Sequence, residues 1–187
     1  MWGDEVGYGV IGETIIESQA FKPFTYDIFA PPSPYMYLIG WTVRTFGRSM
    51  VSLRFWSVFF GALSVPLLYL FFKYSLHAKA ALLASVIFLT LYHHLIVSRF
   101  TYEMSIGIFF EILTLFSLYF AWKKKTLSSY ILVLFSICFV LYTYLALRTF
   151  AVAAFILLLG IVVSKKGLVV TKITQIVALC LLLAVIS

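Results

Sequence analysis

Apolar residues in this chain come as long unbroken runs separated by short polar breaks. A helix that crosses a bilayer needs about 20 apolar residues, within a range of about 17–25. Five stretches approach that length: residues 55–72, 80–97, 104–122, 127–147 and 149–164. A sixth run begins near Ile173 and is still apolar at Ser187. The pattern predicts an all-α fold, a polytopic transmembrane helix bundle of about six spans, over residues 51–187.

Residues 1–50 follow a different pattern. Val6, Val10, Ile11, Ile15 and Ile16 recur near helical spacing with acids between them, which predicts a short amphipathic helix over 4–19 lying at the membrane surface. Pro23 and the run Ala30-Pro31-Pro32-Ser33-Pro34 break regular structure. Residues 35–46 are apolar and aromatic but too short to span, so they read as a second interfacial helix ended by Gly47. There is no repeat at a fixed period.

Composition strengthens the membrane reading: 63% of residues are hydrophobic and 11% charged, against roughly 45–50% and 25% for a soluble domain. Such a chain lacks the charged residues for a water-facing surface. Its net charge of +7 is spread as short groups between apolar runs, without the basic stripe that nucleic-acid binding needs. Cys138 and Cys180 lie inside apolar runs and read as small buried hydrophobes.

Charge also orients the bundle. If the spans alternate, Lys73, Lys79, Lys123, Lys124, Lys125, Lys165, Lys166 and Lys172 all fall on one side, as expected for cytoplasmic connectors. Asp4, Glu5, Glu13, Glu17, Asp27 and Glu103 fall on the other, with Arg44, Arg48, Arg54, Arg99 and Arg148. The first fifty residues and the turns at Arg99 and Arg148 are therefore expected to be extracytoplasmic, and the protein a multi-pass protein of the cell membrane.

Several residues on that outer side are candidates for chemistry. Asp4 and Glu5 offer adjacent carboxylates, which serve either as a general base or simply as acids that favour the dipole at a helix start. Arg99 and Glu103 have the i,i+4 spacing of one helix face. They read either as a phosphate fork with its orienting acid or as an interfacial ion pair. Arg148 separates two apolar runs, and either faces protein or snorkels to the headgroups. Glu111 lies inside the third span, where an ionisable residue is a functional candidate or a buried acid that is either protonated or paired with a neighbouring helix. His93 and His94 are adjacent, so on a helix they point about 100° apart, which does not suit one metal. No metal set and no cofactor is indicated, although the acidic pair is compatible with a divalent ion.

In order along the chain, Asp4-Glu5, Pro31-Pro32-Ser33-Pro34-Tyr35, Phe46-Gly47, Leu53-Arg54-Phe55, Ser98-Arg99-Phe100 with Glu103, and Tyr142-Thr143-Tyr144 with Arg148 resemble the polytopic glycosyltransferases of the GT-C class. The resemblance is to the family 39-like members, relatives of the protein O-mannosyltransferases and of the lipid A aminoarabinose transferase. It covers nearly the whole chain and implies transfer of a sugar from a polyprenyl-phosphate carrier to a protein, lipid or glycan acceptor on the outer face. It further implies Asp4 as catalytic base beside Glu5, Arg99 and Arg148 as donor-phosphate residues, and Glu103 in support. Two features depart from the family. Ala30 stands where many relatives have Lys or His before the Pro-Pro pair, and relatives carry one helix before the acidic loop and further spans after the sixth, so the chain is expected to be a fragment. Apart from the resemblance, a transporter or channel segment using Glu111, with Pro66 as a hint of a broken helix, and a non-catalytic membrane scaffold remain as alternatives.

Overall fold

The computed structural model describes residues 3–18 and 34–163. They form eight α-helices and one short 3-10 turn, with no strand among the described residues. The helices are α1 (Gly3–Glu17), α2 (Pro34–Phe46), α3 (Met50–Ser75), α4 (Ala78–Thr90), α5 (Tyr92–Arg99), α6 (Met104–Lys124), α7 (Leu127–Leu141) and α8 (Arg148–Val163), and the 3-10 turn is Leu145–Leu147. The run at 173–187, Cys180, Asp27 and the lysines at 165, 166 and 172 lie outside the described residues.

The all-helical architecture agrees with the hydropathy pattern, but the spans differ in detail. α3 and α6 are each long and apolar enough to cross a membrane. α3 starts five residues before the predicted run because Ser49 caps it, its hydroxyl accepting from the Ser52 N–H at 3.1 Å. Pro66 lies inside α3 without breaking it. The break falls instead in the predicted second span, where α4 and α5 meet at 62° around Leu91. There the Thr90 hydroxyl donates to the carbonyls of Val86 and Ile87 (3.1 and 3.0 Å), the Leu91 N–H closes the last turn on Ile87, and Leu91 becomes extended. The predicted fourth span ends at Leu141 rather than 147, in a turn at 142–144 followed by the 3-10 turn. α7 and α8, at 15 and 16 residues, are shorter apolar helices.

α3 and α6 run in parallel. Ser57 meets Tyr102 at one end, Phe60 packs on Phe109 at 5.3 Å, and the Tyr119 hydroxyl donates to the Tyr74 carbonyl at 2.5 Å at the other end. α4–α5 returns between them, and α7 returns against α6, with Phe110 and Phe139 stacked at 4.4 Å. Hydroxyls on the buried faces are satisfied within their own helices: Thr114 donates to Phe110 O, Ser64 to Phe60 O and Ser136 to Val133 O, as apolar surroundings require. Large apolar side chains such as Val58, Leu63, Leu82, Leu83 and Ile131 point outward, the arrangement for a lipid-facing surface. Cys138 is also exposed on α7, not buried as its sequence context suggested.

α1 is the element whose packing face the pattern misjudged. The buried positions are Glu5, Gly9, Gly12 and Ile15, whereas Val6 and Val10 are exposed. Close approach decides it: a Cβ on Gly12 would meet the Met36 carbonyl at 2.7 Å and the Gly40 nitrogen at 2.8 Å, and one on Gly40 would strike the Gly12 carbonyl. The two helices cross backbone to backbone, so glycines rather than β-branched residues define the contact. Gly40→Ala is expected to destabilise by about 1–3 kcal/mol, the usual cost of overpacking. Gly7→Ala, where a Cβ meets nothing within 4 Å, is expected to stabilise by up to about 1 kcal/mol through helix propensity. Chemical unfolding in detergent reads both. α2 ends as predicted at Gly47, whose φ of +82° supplies the left-handed residue after the helix.

Candidate active site

One end of the bundle gathers the start of α1, the start of α3, the α5–α6 turn and the α7–α8 turn. Their meeting point is Glu5. Arg54, one turn into α3, grips its carboxylate with both arms: Nε donates to Oε1 at 2.9 Å and Nη2 to Oε2 at 2.8 Å. The Thr101 N–H adds a third bond to Oε1 at 3.0 Å. Glu5 is 3% exposed and Arg54 30%, and the Arg54 guanidinium lies 5.0 Å over the Phe100 ring. The hydrogen bonds from Arg54 hold the Glu5 carboxyl below its ordinary range against the opposing effect of burial. Glu5 is therefore an ionised structural anchor. Its two lone-pair-rich oxygens are already occupied, which leaves it poorly suited to take a proton from a substrate.

Below that pair, the Tyr35 hydroxyl and Ser57 Oγ are 2.6 Å apart, and Ser57 Oγ accepts from the Tyr102 N–H at 3.1 Å. Tyr35 is fully buried, and desolvation pushes its hydroxyl well above the usual tyrosine range, so it stays neutral. Three elements, α2, α3 and the 100–103 turn, are thus pinned around one serine.

Glu103 is the unusual member. It is 5% exposed, and among the described residues its Oε2 is buried without a hydrogen-bond partner, as is Thr101 Oγ1 two residues earlier. Burial raises the Glu103 carboxyl to about 7. Arg99 and Glu103 do not share a helix face as their spacing suggested. α5 stops at Arg99 and α6 starts at Met104, because the Phe100 N–H closes α5 on Ile96 and the chain then turns. Arg99 is exposed, and no ion pair joins it to Glu103 among the described residues.

Arg148 opens α8, and the turn leading to it packs on the first part of α6: a Cβ on Gly107 would run into the Leu147 side chain and lie 3.4 Å from Thr143 Oγ1. Arg148 is half-buried. Asp4 occupies the first turn of α1, one residue before the anchor. The geometry thus joins the acidic pair to the 99–103 turn through Glu5 and Thr101, and sets the Arg148 turn against the same end of α6. Glu111 is half-buried in mid-helix without an ion pair among the described residues. His94 is buried with its ring 4.2 Å from Phe88 across the bend.

In the sequence Arg54 stands one residue before the first long apolar run, and Tyr35 and Ser57 carry no local signal. An arginine four residues inside an apolar helix is a signal, since such a charge needs a partner. Identifying that partner 49 residues away requires the fold.

The isolated carboxyl of Glu103 makes a pH prediction. An acid raised from 4.5 to about 7 in the fold costs nothing below about 4.5, where both states bind the proton. Stability then falls as pH rises, and the loss is complete above about 7. It amounts to about 3 kcal/mol at 1.36 kcal/mol per unit. Glu103→Gln is expected to remove most of this slope, so unfolding curves of variant and parent should draw apart between pH 4.5 and 7.5.

Comparison with known proteins adds one match. The family model described as dolichyl-phosphate-mannose-protein mannosyltransferase matches residues 30–187, from before α2 to the end of the chain and excluding α1. No curated protein and no solved structure matches.

Proposed function

The chain belongs to the dolichyl-phosphate-mannose-protein mannosyltransferase family, a membrane glycosyltransferase family, and from that premise we propose that it moves a sugar from a polyprenyl-phosphate carrier to an acceptor hydroxyl on the extracytoplasmic face. The family description names mannose and a protein acceptor; a mannosyl donor is the first to test.

In this reading the acceptor oxygen attacks the anomeric carbon, the bond from that carbon to the carrier phosphate breaks, and the electron pair leaves on the phosphate. The acceptor proton passes to Asp4 as general base. Arg99, exposed at the end of α5, and Arg148, at the start of α8, neutralise the departing phosphate. Glu5 and Arg54 hold α1 on the 100–103 turn so that base and cation stay together.

The observation that carries the reading is the bond from Thr101 N–H to Glu5. It ties the acidic pair to the turn that follows Arg99, across 96 positions of sequence. It supports a shared site because Asp4 and Arg99 lie one and two residues from the two ends of that bond. Among the described residues, the separation of arginines and most acids at this end from lysines at the other supports an extracytoplasmic site.

The test is transfer from radiolabelled polyprenyl-phosphate-mannose by the whole protein in proteoliposomes. Incorporation into acceptor on one side of the membrane is expected. Solute flux across the vesicles with no transfer from any polyprenyl-phosphate sugar would replace this reading with a transporter.

A further inference from the structure

The opposite end of the bundle carries a second concentration of charge that the proposed reaction does not use. Lys73 lies in the last turn of α3, Lys79 in the first turn of α4, and Lys123 and Lys124 in the last turn of α6, followed by Lys125. All five are exposed. Every described acid lies elsewhere: four on α1, Glu103 at the far end of α6 and Glu111 in its middle. No carboxylate among the described residues neutralises this group.

Two of these lysines stand at one strut, and Lys73 immediately precedes it in the chain. The Tyr119 hydroxyl donates to the Tyr74 carbonyl, capping an end carbonyl of α3, and Lys123 Nζ donates to the same hydroxyl at 3.0 Å while lying over its ring. Lys124 lies over Phe120, whose ring meets Tyr74 at 5.5 Å, and Lys73 precedes Tyr74 and lies over Tyr69. The ammonium groups lie against aromatic rings at about the same end of α3 and α6 and still keep donors to spare, since each has three, a ring contact uses none and only Lys123 spends one on Tyr119.

The helix termini do not supply the missing negative charge. The C-termini of α3 and α6 each contribute about half a negative charge here, and the N-termini of α4 and α7 about half a positive charge each, so they cancel. Neither of those N-termini is capped by its N-cap side chain, which leaves first-turn N–H groups as further donors.

We propose that Lys73, Lys123 and Lys124, gathered at the end of the bundle that the Tyr119–Tyr74 strut closes, form a binding site for the phosphodiester headgroup of an anionic phospholipid. The site lies where the apolar surfaces of α3 and α6 end, so the acyl chains continue along those surfaces as the headgroup meets the ammoniums. A lysine near an anionic membrane surface contributes about fivefold in occupancy; three together give a preference on the order of a hundredfold over a zwitterionic lipid.

The experiment is competition between phosphatidylglycerol and phosphatidylcholine for the purified protein, read by native mass spectrometry of retained lipid. The parent is expected to retain phosphatidylglycerol selectively, Lys73→Gln/Lys123→Gln/Lys124→Gln to lose that selectivity, and Lys73→Arg/Lys123→Arg/Lys124→Arg to keep it. On the parent alone, raising salt from 0.05 to 0.5 M is expected to erode the preference, because exposed ammoniums are screened. Soluble glycerol phosphate at the same concentration should not displace the lipid; displacement would mean a site for free phosphate. Equal retention of the two lipids by the parent, insensitivity to salt, or unchanged selectivity in the triple glutamine variant overturns the proposal.

Discussion

Asp4→Asn in the whole protein is expected to lower sugar transfer by about 10²–10⁴-fold, the range for loss of a positioned general base, while leaving stability nearly unchanged. Asparagine keeps the size of the side chain but cannot accept the acceptor's proton. The structural cost is confined to the favourable placement of an acid in the first turn of α1, about 0.3–1 kcal/mol. Transfer kinetics and unfolding of the same preparation check both halves. Undiminished transfer by a folded Asp4→Asn variant would remove Asp4 from the chemistry. Glu5→Gln provides the contrast: its fault should appear first in unfolding, because Glu5 spends its oxygens on Arg54 and Thr101.

Arg54→Ala is expected to cost about 3–5 kcal/mol, the range for breaking one side of a buried ion pair. This would be a large share of the roughly 5–15 kcal/mol that holds a folded domain. The loss arises less from the attraction than from what remains, a carboxylate 3% exposed with one N–H for company. The sign with pH follows. Arg54 lowers the Glu5 carboxyl below 4.5, so the pair stabilises the parent above that value and loses its contribution as pH falls through the depressed one. In Arg54→Ala the carboxyl is freed to take up a proton, and the gap between variant and parent should narrow in acid. A paired apolar replacement, Glu5→Leu with Arg54→Met, is expected to recover much of the stability. Denaturant titrations in detergent at pH 4 and pH 7.5 measure all three. A loss below 1 kcal/mol for Arg54→Ala would show that the anchor is dispensable. The exposed pair of Arg48 and Glu13, at 2.9 Å with Arg48 82% exposed, is expected to matter little by comparison.

These expectations explain why part of the site was legible from the sequence and part was not. Arg99 and Arg148, proposed for the phosphate, stand out because each is a charge beside long apolar runs, where charge is expensive and therefore informative; Asp4, proposed as the base, stands out only as half of an adjacent acidic pair. Glu5 looked equivalent to Asp4, since adjacent carboxylates differ only in which way the helix turns them. α1 turns Glu5 inward onto Arg54. Glu103 looked like the partner of Arg99, because i,i+4 spacing assumes that the helix continues, and the turn at 100–103 cancels that assumption. The orphaned oxygens of Glu103 and Thr101 leave no mark in any local pattern.

Run length and composition along the chain already make it helical and membrane-embedded, and most of its lysines fall in the connectors after the first, third and fifth apolar runs. Those properties follow from run length, composition and the cost of placing charge in lipid, all of which act over about twenty residues. Only the packing of the helices makes glycines the contact face of α1, breaks the second apolar run at Leu91, turns Glu5 into an anchor and leaves Glu103 Oε2 buried with no partner among the described residues. Those outcomes depend on which backbones approach closely enough to touch, across 49 and 96 positions in the two bonds that matter most. Hydropathy and periodicity along a single helix carry no information about that distance.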